Sequence, residues 1–437
     1  MKDQPTLTTN QKSRREFIKT NFLGGVFLAT GLTFSACKKS IDDKKDVRKS
    51  FLLPNNQIDW SALRTQFDFD SKKNYLNTAS LGPMLNTVSD RIVSTMKTLQ
   101  RKVNTGHNLI APIREKVANY LNADTEEIAF TRNSTEGMNI AARSLPLQKG
   151  DEVLITSDEH IGGAAPWIAL QQEIGIVIKI IRQDSSNTNY LQTLSDAITQ
   201  KTKVISVSHI LCTTGEILPV KKISKLCKQK GIFCCIDGAQ ALGSVAIDLQ
   251  NIDPDFYTTC GHKWLFGPYG TGILFINKRV LPICRTQYVG AYSDAKFNLQ
   301  TKTLKYKNSA DRLEYGTRNV PNICGLGEAI DFSNNLGIQK IEARGKELTD
   351  YLISKLKQRT NYKILTPISE GKYNSILTIK ILDTDNLQMA RELKPEKTIF
   401  IRGVYENNLN ALRVSLSIFN TTTDIDNLLI ALEEKVK

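Results

Sequence analysis

Short apolar segments alternate with helical patterns between about residues 75 and 280, and this alternation constrains the fold more than any other feature. Four apolar segments rich in β-branched residues cover residues 153–155, 204–207, 232–236 and 272–276. Helical patterns lie between such segments, at residues 111–121, 136–144 and 220–230. Apolar segments of this length are typical of strands buried on both faces of a sheet. We therefore predict an α/β domain with a mainly parallel sheet.

The pattern changes towards the C-terminus. A long helical pattern covers about 339–359, two strand-like runs follow at 376–379 and 412–416, and a last helix begins near residue 423. This order is typical of an α+β unit. We predict a large domain at 75–330 and a smaller α+β domain at 331–437.

The first 37 residues have the pattern of an export signal. Ser13-Arg14-Arg15-Glu16-Phe17-Ile18-Lys19 precedes an apolar run, Phe22 to Phe34, that is too short to span a bilayer comfortably. The paired arginines resemble a twin-arginine signal, and Phe34-Ser35-Ala36-Cys37 resembles a lipobox. We predict a signal at 1–37, a tether and N-terminal segment at 38–74, and an exported, periplasmic lipoprotein with a lipid on Cys37. The alternative is an uncleaved anchor in which Cys37 is buried.

Charge and cysteine content argue against nucleic-acid binding, a disulfide framework and a metal site. The formal net charge is +14, but the sequence shows no basic helix interleaved with aromatic residues and no zinc-finger spacing, so we expect no nucleic-acid partner. The eight cysteines include no C-x-x-C pair, and most lie in apolar or strand-like contexts. We interpret them as small buried residues and predict neither a disulfide framework nor a metal site.

Charged side chains directly follow three of the strand-like segments. The polar groups are residues 157–160, 237–240 and 260–264. In an open α/β sheet, ligands bind outside the carboxyl ends of the strands. These side chains are therefore candidates to point into a binding crevice. Each by itself is also typical of a turn, a helix cap or a solvated position.

Nine sequence blocks together resemble class V aminotransferases, the fold-type I family of pyridoxal phosphate (PLP) enzymes that includes cysteine desulfurases and isopenicillin-N-epimerase-like proteins. The blocks are residues 75–83, 131–137, 160 with 166–167, 208–209, 214–215 with 218–219, 237–240, 261–264, 314–317 and 413–415. The blocks include Asp237-Gly238-Ala239-Gln240 and Gly261-His262-Lys263-Trp264, and all nine stand in the order of the family. The resemblance covers about residues 75 to 437 and implies the PLP-dependent transferase fold.

The resemblance implies roles around the cofactor ring. Lys263 is expected to hold PLP as a Schiff base and to move a proton at the substrate α-carbon. Asp237 is expected to pair with the pyridine nitrogen, so that the ring can accept electrons. His160 is expected to stack on the ring, and Gln240 to contact its 3-hydroxyl group. Without the family resemblance, Gln240 is equally well interpreted as a solvated helix residue.

The phosphate requires donors at the start of a helix, and residues 133–136 precede a helical pattern. By itself this segment is also typical of a plain helix N-cap. In the family, the residues at the positions of Ser134, Thr135 and His262 contact the phosphate. Cys260 occupies another cofactor-binding position, where the family often has a serine, and its thiol is a weaker phosphate donor than a hydroxyl group. The position of Thr317 reaches the phosphate of the partner subunit, which implies a homodimer.

Arg413 lies in an apolar strand-like run, where a charge is either paired or functional. In the family this position binds the substrate α-carboxylate with its planar guanidinium. The alternative from the sequence is a structural ion pair.

A departure from the family pattern bears on the reaction. Cysteine desulfurases carry a nucleophilic cysteine between the arginines at Arg402 and Arg413, but residues 403–410 contain no cysteine. Sulfur transfer through such a thiolate is therefore not expected. We predict an enzyme acting on an amino acid or amine, a transaminase or an isopenicillin-N-epimerase-like protein. The alternatives are PLP-dependent lyase or desulfurase-like activity, and a catalytically silent, lipid-anchored binding protein.

Overall fold

A computed structural model describes residue 51, residues 57–68, residue 70, and residues 72–182 and 190–436. The predicted signal at 1–37, including Cys37, lies outside these residues. Among the helices of the described residues, none is both long and apolar enough to cross a bilayer.

The described residues form helices and strands that alternate through the first two thirds of the chain. The helices are α1 (Trp60–Arg64), α2 (Asn86–Lys102), α3 (Ile110–Leu121), α4 (Ser134–Ser144), α5 (Ile161–Ile174), α6 (Tyr190–Ala197), α7 (Val220–Lys230), α8 (Leu249–Ile252), α9 (Val320–Leu336), α10 (Ile338–Leu356), α11 (Asn386–Lys397) and α12 (Thr422–Val436). The strands are β1 (Asn74–Tyr75), β2 (Ile128–Thr131), β3 (Glu152–Thr156), β4 (Val177–Ile181), β5 (Thr202–Ser208), β6 (Phe233–Asp237), β7 (Phe256–Cys260), β8 (Gly272–Ile276), β9 (Asp294–Asn298), β10 (Thr303–Tyr306), β11 (Tyr362–Ile364), β12 (Ile376–Ile381), β13 (Ile399–Phe400), β14 (Arg402–Val404) and β15 (Ala411–Ser415).

Seven strands form the large sheet, in the order β2-β8-β7-β6-β5-β3-β4. Within this sheet β8 runs antiparallel to both of its neighbours, and the pairs from β7 to β4 are parallel. Strands β3, β7 and β8 are buried along their whole length, as their apolar composition predicts. The α/β prediction with a mainly parallel sheet is confirmed.

A second sheet lies in the C-terminal part, with the antiparallel order β11-β12-β15-β14. Its buried face packs with α10, α11 and α12 into a separate apolar cluster that includes Leu352, Leu393 and Leu428. The predicted strands at 376–379 and 412–416 correspond to β12 and β15. The boundary predicted at 330/331 stays a prediction; residues 59–437 form one compact unit, and α9 runs across this position.

One strand pairing that the sequence pattern does not indicate shapes the site. Strand β1 pairs in parallel with β13, so Asn74 lies opposite Ile399, and Asn77 forms a further bridge with Ser415. This pairing brings residues 77–82, which belong to the N-terminal side of the chain, beside the strand that carries Arg413.

Candidate active site

The polar residues predicted at the strand ends meet in one cavity of about 370 Å³. Eight residues with a predicted role line it: Ser134, Thr135, His160, Asp237, Gln240, His262, Lys263 and Arg413. The other lining residues are Ala79, Ser80, Asn133, Ser208, Ile210, Cys212, Ala239 and Arg402. The cavity lies where β5, β6 and β7 end, as expected for a ligand site of an open α/β sheet.

Asp237 is the last residue of β6 and lies in the floor of the cavity, with 5% of its surface exposed. Its Oδ1 accepts a hydrogen bond from the backbone N–H of Ala239 at 2.9 Å. Its Oδ2 lies 3.4 Å from the point that a Cβ on Gly163 would occupy, and it accepts no hydrogen bond from the described residues. Burial raises the pKa of this carboxyl group, and the charges of Lys263 and His160 oppose that shift. One carboxylate oxygen is thus free for a cationic ligand atom.

His160 is the N-cap of α5 and follows directly after the segment that leaves β3. Its Nδ1 accepts a hydrogen bond from the backbone N–H of Gly162 at 3.0 Å, so the proton of the neutral ring is on Nε2. Burial and the nearby charge of Lys263 lower the pKa of His160. The ring is therefore neutral at neutral pH, which suits it to stack against a flat ligand.

Lys263 follows β7 and lines the same cavity as Asp237. Its amine forms no salt bridge with the carboxylates of the described chain, although its charge lowers the pKa values of His160 and His262. The backbone around it is closely packed, because a Cβ on Gly82 would lie 1.9 Å from the Lys263 carbonyl oxygen. The amine is thus held on a rigid segment and is available for a ligand.

The start of α4 provides donors at one end of the cavity. Asn133 is the N-cap and accepts from the N–H of Glu136 at 2.9 Å, as the alternative interpretation of this segment predicted. The cap does not exclude a ligand, since Ser134 and Thr135 also line the cavity. Nearby, Nδ1 of His262 is buried without a partner, and burial lowers the pKa of this ring to about 4. A neutral imidazole with an unused nitrogen fits a phosphate donor.

Two predicted residues are less directly available. Gln240 is buried, and its amide donates to the Ala79 carbonyl at 2.9 Å and accepts from the Trp264 indole at 2.8 Å, which leaves one N–H for a ligand. Cys260 does not line the cavity; its thiol donates to the carbonyl of Ala239 at 3.7 Å, and burial raises its pKa to about 11.

Thr317 lies apart from the other predicted residues. It lines a second cavity of about 290 Å³ together with Glu314 and Arg318. Glu314 is buried there and holds Arg114 and Arg318 as ion-pair partners. Within a single chain, Thr317 is therefore not part of the Lys263 cavity.

Arg413 lies on β15 with 2% of its surface exposed. Its guanidinium donates to the Cys212 carbonyl at 2.8 Å and to the Ser80 hydroxyl at 2.7 Å, and its Nε has no partner. No carboxylate of the described residues pairs with it, so the structural ion pair that the sequence left open is not observed. Burial and the charge of Arg402 lower its pKa to about 10. A buried cation without an anion is expected to bind one from solution.

Sequence reasoning assigned no role to two further residues at the site. Arg402 lines the cavity and is paired with Glu406, although the sequence used Arg402 only to mark the ends of a loop. Ser208 lines the cavity and donates to Glu159 at 2.6 Å. A charge after the apolar run 399–401 was a usable signal for Arg402, but no local signal pointed to a role for Ser208.

The residues present fit pyridoxal phosphate. Asp237 offers an unbonded oxygen for the ring nitrogen, and His160 offers a neutral ring for stacking. The unpartnered Nδ1 of His262 lies at the same cavity as the hydroxyls of Ser134 and Thr135, a donor set suited to the phosphate. Lys263 provides the amine that the cofactor aldehyde needs.

Comparison with known proteins agrees with this geometry. The family model described as "Aminotransferase class-V" matches residues 84–428. A cysteine desulfurase of Serratia proteamaculans is 30% identical over 379 residues, covering 82% of this chain and 92% of the relative. A probable cysteine desulfurase of Borreliella burgdorferi is 28% identical, covering 93% and 99%. An isopenicillin N epimerase of Amycolatopsis lactamdurans is 27% identical, covering 86% and 99%.

Solved structures share the fold. A variant of C-DES with glycine covalently linked to its PLP cofactor has a TM-score of 0.78 and 24% identity, covering 84% of this chain and 98% of that one. The cystine C-S lyase C-DES in complex with its reaction product, cysteine persulfide, has a TM-score of 0.76 and 24% identity, covering 83% and 97%. The predicted fold type is confirmed.

Proposed function

Because this chain belongs to the class-V aminotransferase family, whose cofactor is pyridoxal phosphate, we propose that it is a lyase that breaks the bond between the β-carbon and the sulfur of a cysteine-type amino acid. One observation carries the proposal. Lys263, Asp237 and Arg413 line one cavity, while the segment 403–410 beside it contains no cysteine. The cavity thus has the groups for chemistry at an α-carbon but no thiolate on this segment to accept sulfur.

Arg413, Lys263 and Asp237 each have a separate role in this reaction. Arg413 binds the substrate α-carboxylate, because it is a buried cation oriented by Ser80 and lacks an anionic partner. Lys263 removes the proton from the α-carbon, and Asp237 keeps the pyridine nitrogen protonated. Bound pyridoxal phosphate supplies an electron sink for the charge that develops at this carbon. The sulfur leaves with the electron pair of its bond, and the remaining three-carbon fragment takes up water to give pyruvate and ammonium.

The cysteine in the cavity wall is a poor sulfur acceptor. Cys212 is buried, and burial raises the pKa of its thiol to about 11, although the charges of Arg413 and Lys263 oppose this. The thiolate is the nucleophilic form, so little of Cys212 is reactive at neutral pH. This favours elimination over transfer of sulfur to the protein.

The relatives support the lyase alternative better than a transaminase or an epimerase. Two of the relatives compared above carry the name cysteine desulfurase, and the structural neighbour C-DES is a cystine C-S lyase. The isopenicillin N epimerase is slightly less similar, at 27% identity. A silent binding protein is disfavoured because Lys263 and Asp237 are both present in the cavity.

The test is product analysis of the purified, PLP-loaded protein. With L-cysteine and β-chloro-L-alanine we expect pyruvate and ammonium, and Lys263→Ala should form neither. Borohydride reduction followed by mass spectrometry should place a pyridoxyl adduct on Lys263. A keto acid that appears only with an amino acceptor, or a D-amino acid without pyruvate, would overturn the lyase proposal in favour of transamination or epimerisation.

We also propose that the protein is a homodimer. Thr317 and the Lys263 cavity are separate within one chain, and the family resemblance assigns Thr317 to the partner's cofactor. Light scattering of the purified protein tests the dimer: a mass of one chain at working concentration contradicts it.

A further inference from the structure

Asp237 lies between two strands whose facing residues carry hydroxyl groups. In the large sheet, Asp237 pairs with Ser208 of β5 on one side and with Thr258 of β7 on the other. Neighbouring strands lie about 4.8 Å apart, and residues that pair in register project to the same face of the sheet. Either hydroxyl group can therefore turn towards the Asp237 carboxylate, where it would occupy an oxygen that the cofactor ring needs.

Both hydroxyl groups donate to other acceptors instead. Thr258 donates to the Ser134 carbonyl at 3.3 Å. Ser208 donates to Oε2 of Glu159 at 2.6 Å. The acceptor for Thr258 is a backbone carbonyl at the start of α4, whereas the acceptor for Ser208 is a carboxyl side chain to which the reaction described above gives no role.

The Glu159 carboxyl group is oriented by three donors. Its Oε1 accepts from the Thr156 hydroxyl at 2.6 Å and from the Ser208 backbone N–H at 3.1 Å, and its Oε2 accepts from the Ser208 hydroxyl. A backbone N–H can only donate, so it fixes Oε1 as the oxygen that must remain an acceptor. A hydroxyl group can donate or accept, so the direction of the Ser208 bond depends on the chemical group at the Oε2 position.

Glu159 and Asp237 approach the same point on α5. The position that a Cβ on Gly163 would occupy lies 3.5 Å from Oε2 of Glu159 and 3.4 Å from Oδ2 of Asp237. The oxygen that holds the Ser208 hydroxyl is thus close to the Asp237 oxygen that accepts no hydrogen bond from the described residues.

We propose that Glu159 is a positioning residue for cofactor binding: it accepts the proton of the Ser208 hydroxyl and thereby keeps Oδ2 of Asp237 free for the ring nitrogen of pyridoxal phosphate. The competing donor is turned away before the cofactor arrives, so no hydrogen bond to Asp237 has to break when the ring binds. Cofactor binding precedes each of the reactions considered above, so this role does not depend on the lyase function.

The central experiment measures the affinity of the cofactor-free protein for pyridoxal phosphate in Glu159→Gln. The amide oxygen must accept from the Ser208 backbone N–H, so the amide nitrogen takes the place of Oε2 and donates to the Ser208 hydroxyl. The proton of that hydroxyl is then released for Asp237. We expect the dissociation constant to rise about tenfold at about pH 8, where Glu159 is ionised in the unchanged protein. An unchanged dissociation constant would overturn the proposal.

A cofactor analogue separates this role from a structural one. Deazapyridoxal phosphate carries a C–H group in place of the ring nitrogen, so it forms no such hydrogen bond with Asp237. Its dissociation constant should change by less than about threefold in Glu159→Gln. Equal losses of affinity for the cofactor and the analogue would show that Glu159 only supports the cavity wall, which contradicts the proposal.

Removing the competing donor gives a second, independent readout. In a Ser208→Ala background no hydroxyl is present to turn towards Asp237, so adding Glu159→Gln should change the affinity for pyridoxal phosphate by less than about threefold. A further tenfold loss in the double variant, relative to Ser208→Ala alone, would mean that Glu159 acts by another route.

Glu152→Gln is the matched control for the loss of a buried carboxylate. Glu152 likewise accepts from two hydroxyl groups, those of Thr199 and Thr202, but it does not line the cavity. This variant should bind both the cofactor and the analogue as the unchanged protein does. All of these measurements follow binding, so they decide the role of Glu159 whether or not pyruvate is formed, and a lack of pyruvate counts against the lyase alone.

Discussion

Burial changes the ionisation of the Glu159 carboxyl group, and the sequence around Glu159 does not reveal this change. Its carboxyl group accepts hydrogen bonds from Thr156 and from the Ser208 hydroxyl, both at 2.6 Å. Burial raises its pKa to about 7, and the charge of Asp237 adds to the shift. The buried carboxyl group of Glu159, close to Asp237, therefore titrates near neutral pH.

This pKa predicts how the stability of the protein depends on pH. The folded pKa lies above the ordinary value of 4.5, so the neutral form stabilises the fold, and this contribution is lost as the pH rises from about 4.5 through about 7. In Glu159→Gln the group cannot ionise. We expect the free energy of unfolding of Glu159→Gln, relative to the unchanged protein, to increase by up to about 3 kcal/mol between pH 4.5 and pH 8.

Urea unfolding of both proteins at several pH values measures this difference. Glu152→Gln is a control at the start of β3, the strand that precedes Glu159, because Glu152 is paired with Lys179 and its pKa is lowered instead. A difference between Glu159→Gln and the unchanged protein that stays constant with pH would contradict the prediction.

At the residue scale the sequence indicated several of the side chains that the structure brings together, while their chemical roles stay predictions. Lys263, Asp237 and Arg413 were identified from their places after or within apolar strands, and the structure brings all three to one cavity. Arg402 was recognised only as a boundary, because pairing with Glu406 depends on the conformation of the intervening turn. Cys260 was assigned to the cofactor from its position in the family, but its thiol donates to the carbonyl of Ala239 and does not line the cavity.

Among the structural elements, the turn between β14 and β15 depends most on its asparagines. Asn407, Asn408 and Asn410 have positive φ values of 52°, 57° and 43°. Asparagine tolerates this left-handed conformation better than most residues. The turn therefore directs Glu406 towards Arg402 at a low conformational cost.

Two substitutions at Asn407 separate the backbone from the hydrogen bond. Asn407→Gly keeps the left-handed conformation and loses the bond to Asp158, which should cost about 1 kcal/mol of unfolding free energy. Asn407→Ala loses the bond and adds a strain of about 1–2 kcal/mol. Urea unfolding should therefore rank the unchanged protein first, Asn407→Gly second and Asn407→Ala last. Equal stability of the two variants would show that the backbone conformation is not required.

At the scale of the whole molecule, the sequence pattern at the N-terminus predicts where the protein works. We propose export by the twin-arginine route and lipid attachment at Cys37, on the sequence pattern of residues 1–37, which lie outside the described structure. A route that carries folded proteins suits an enzyme that must acquire its cofactor before export.

Cell fractionation tests this proposal with two variants. Replacing Arg14 and Arg15 together by lysine should leave the protein in the cytosol, because the paired arginines are the feature that resembles the twin-arginine signal. Cys37→Ala should abolish lipid attachment and leave an exported, non-lipidated protein. Unchanged membrane-bound, exported protein in both variants would exclude this signal.

The sequence by itself determined the class of fold and the main chemical groups of the site. Short apolar strands followed by charged residues can be buried only in a sheet covered by helices, and such a sheet gathers its strand ends at one edge. Only the tertiary structure decided which groups share a wall of the cavity. The pairing of β1 with β13 brings Ser80 to Arg413, and the fold of the single chain places Thr317 in a cavity separate from that of Lys263. These contacts join segments that are distant in the chain, and local residue patterns do not specify which distant strands will share hydrogen bonds.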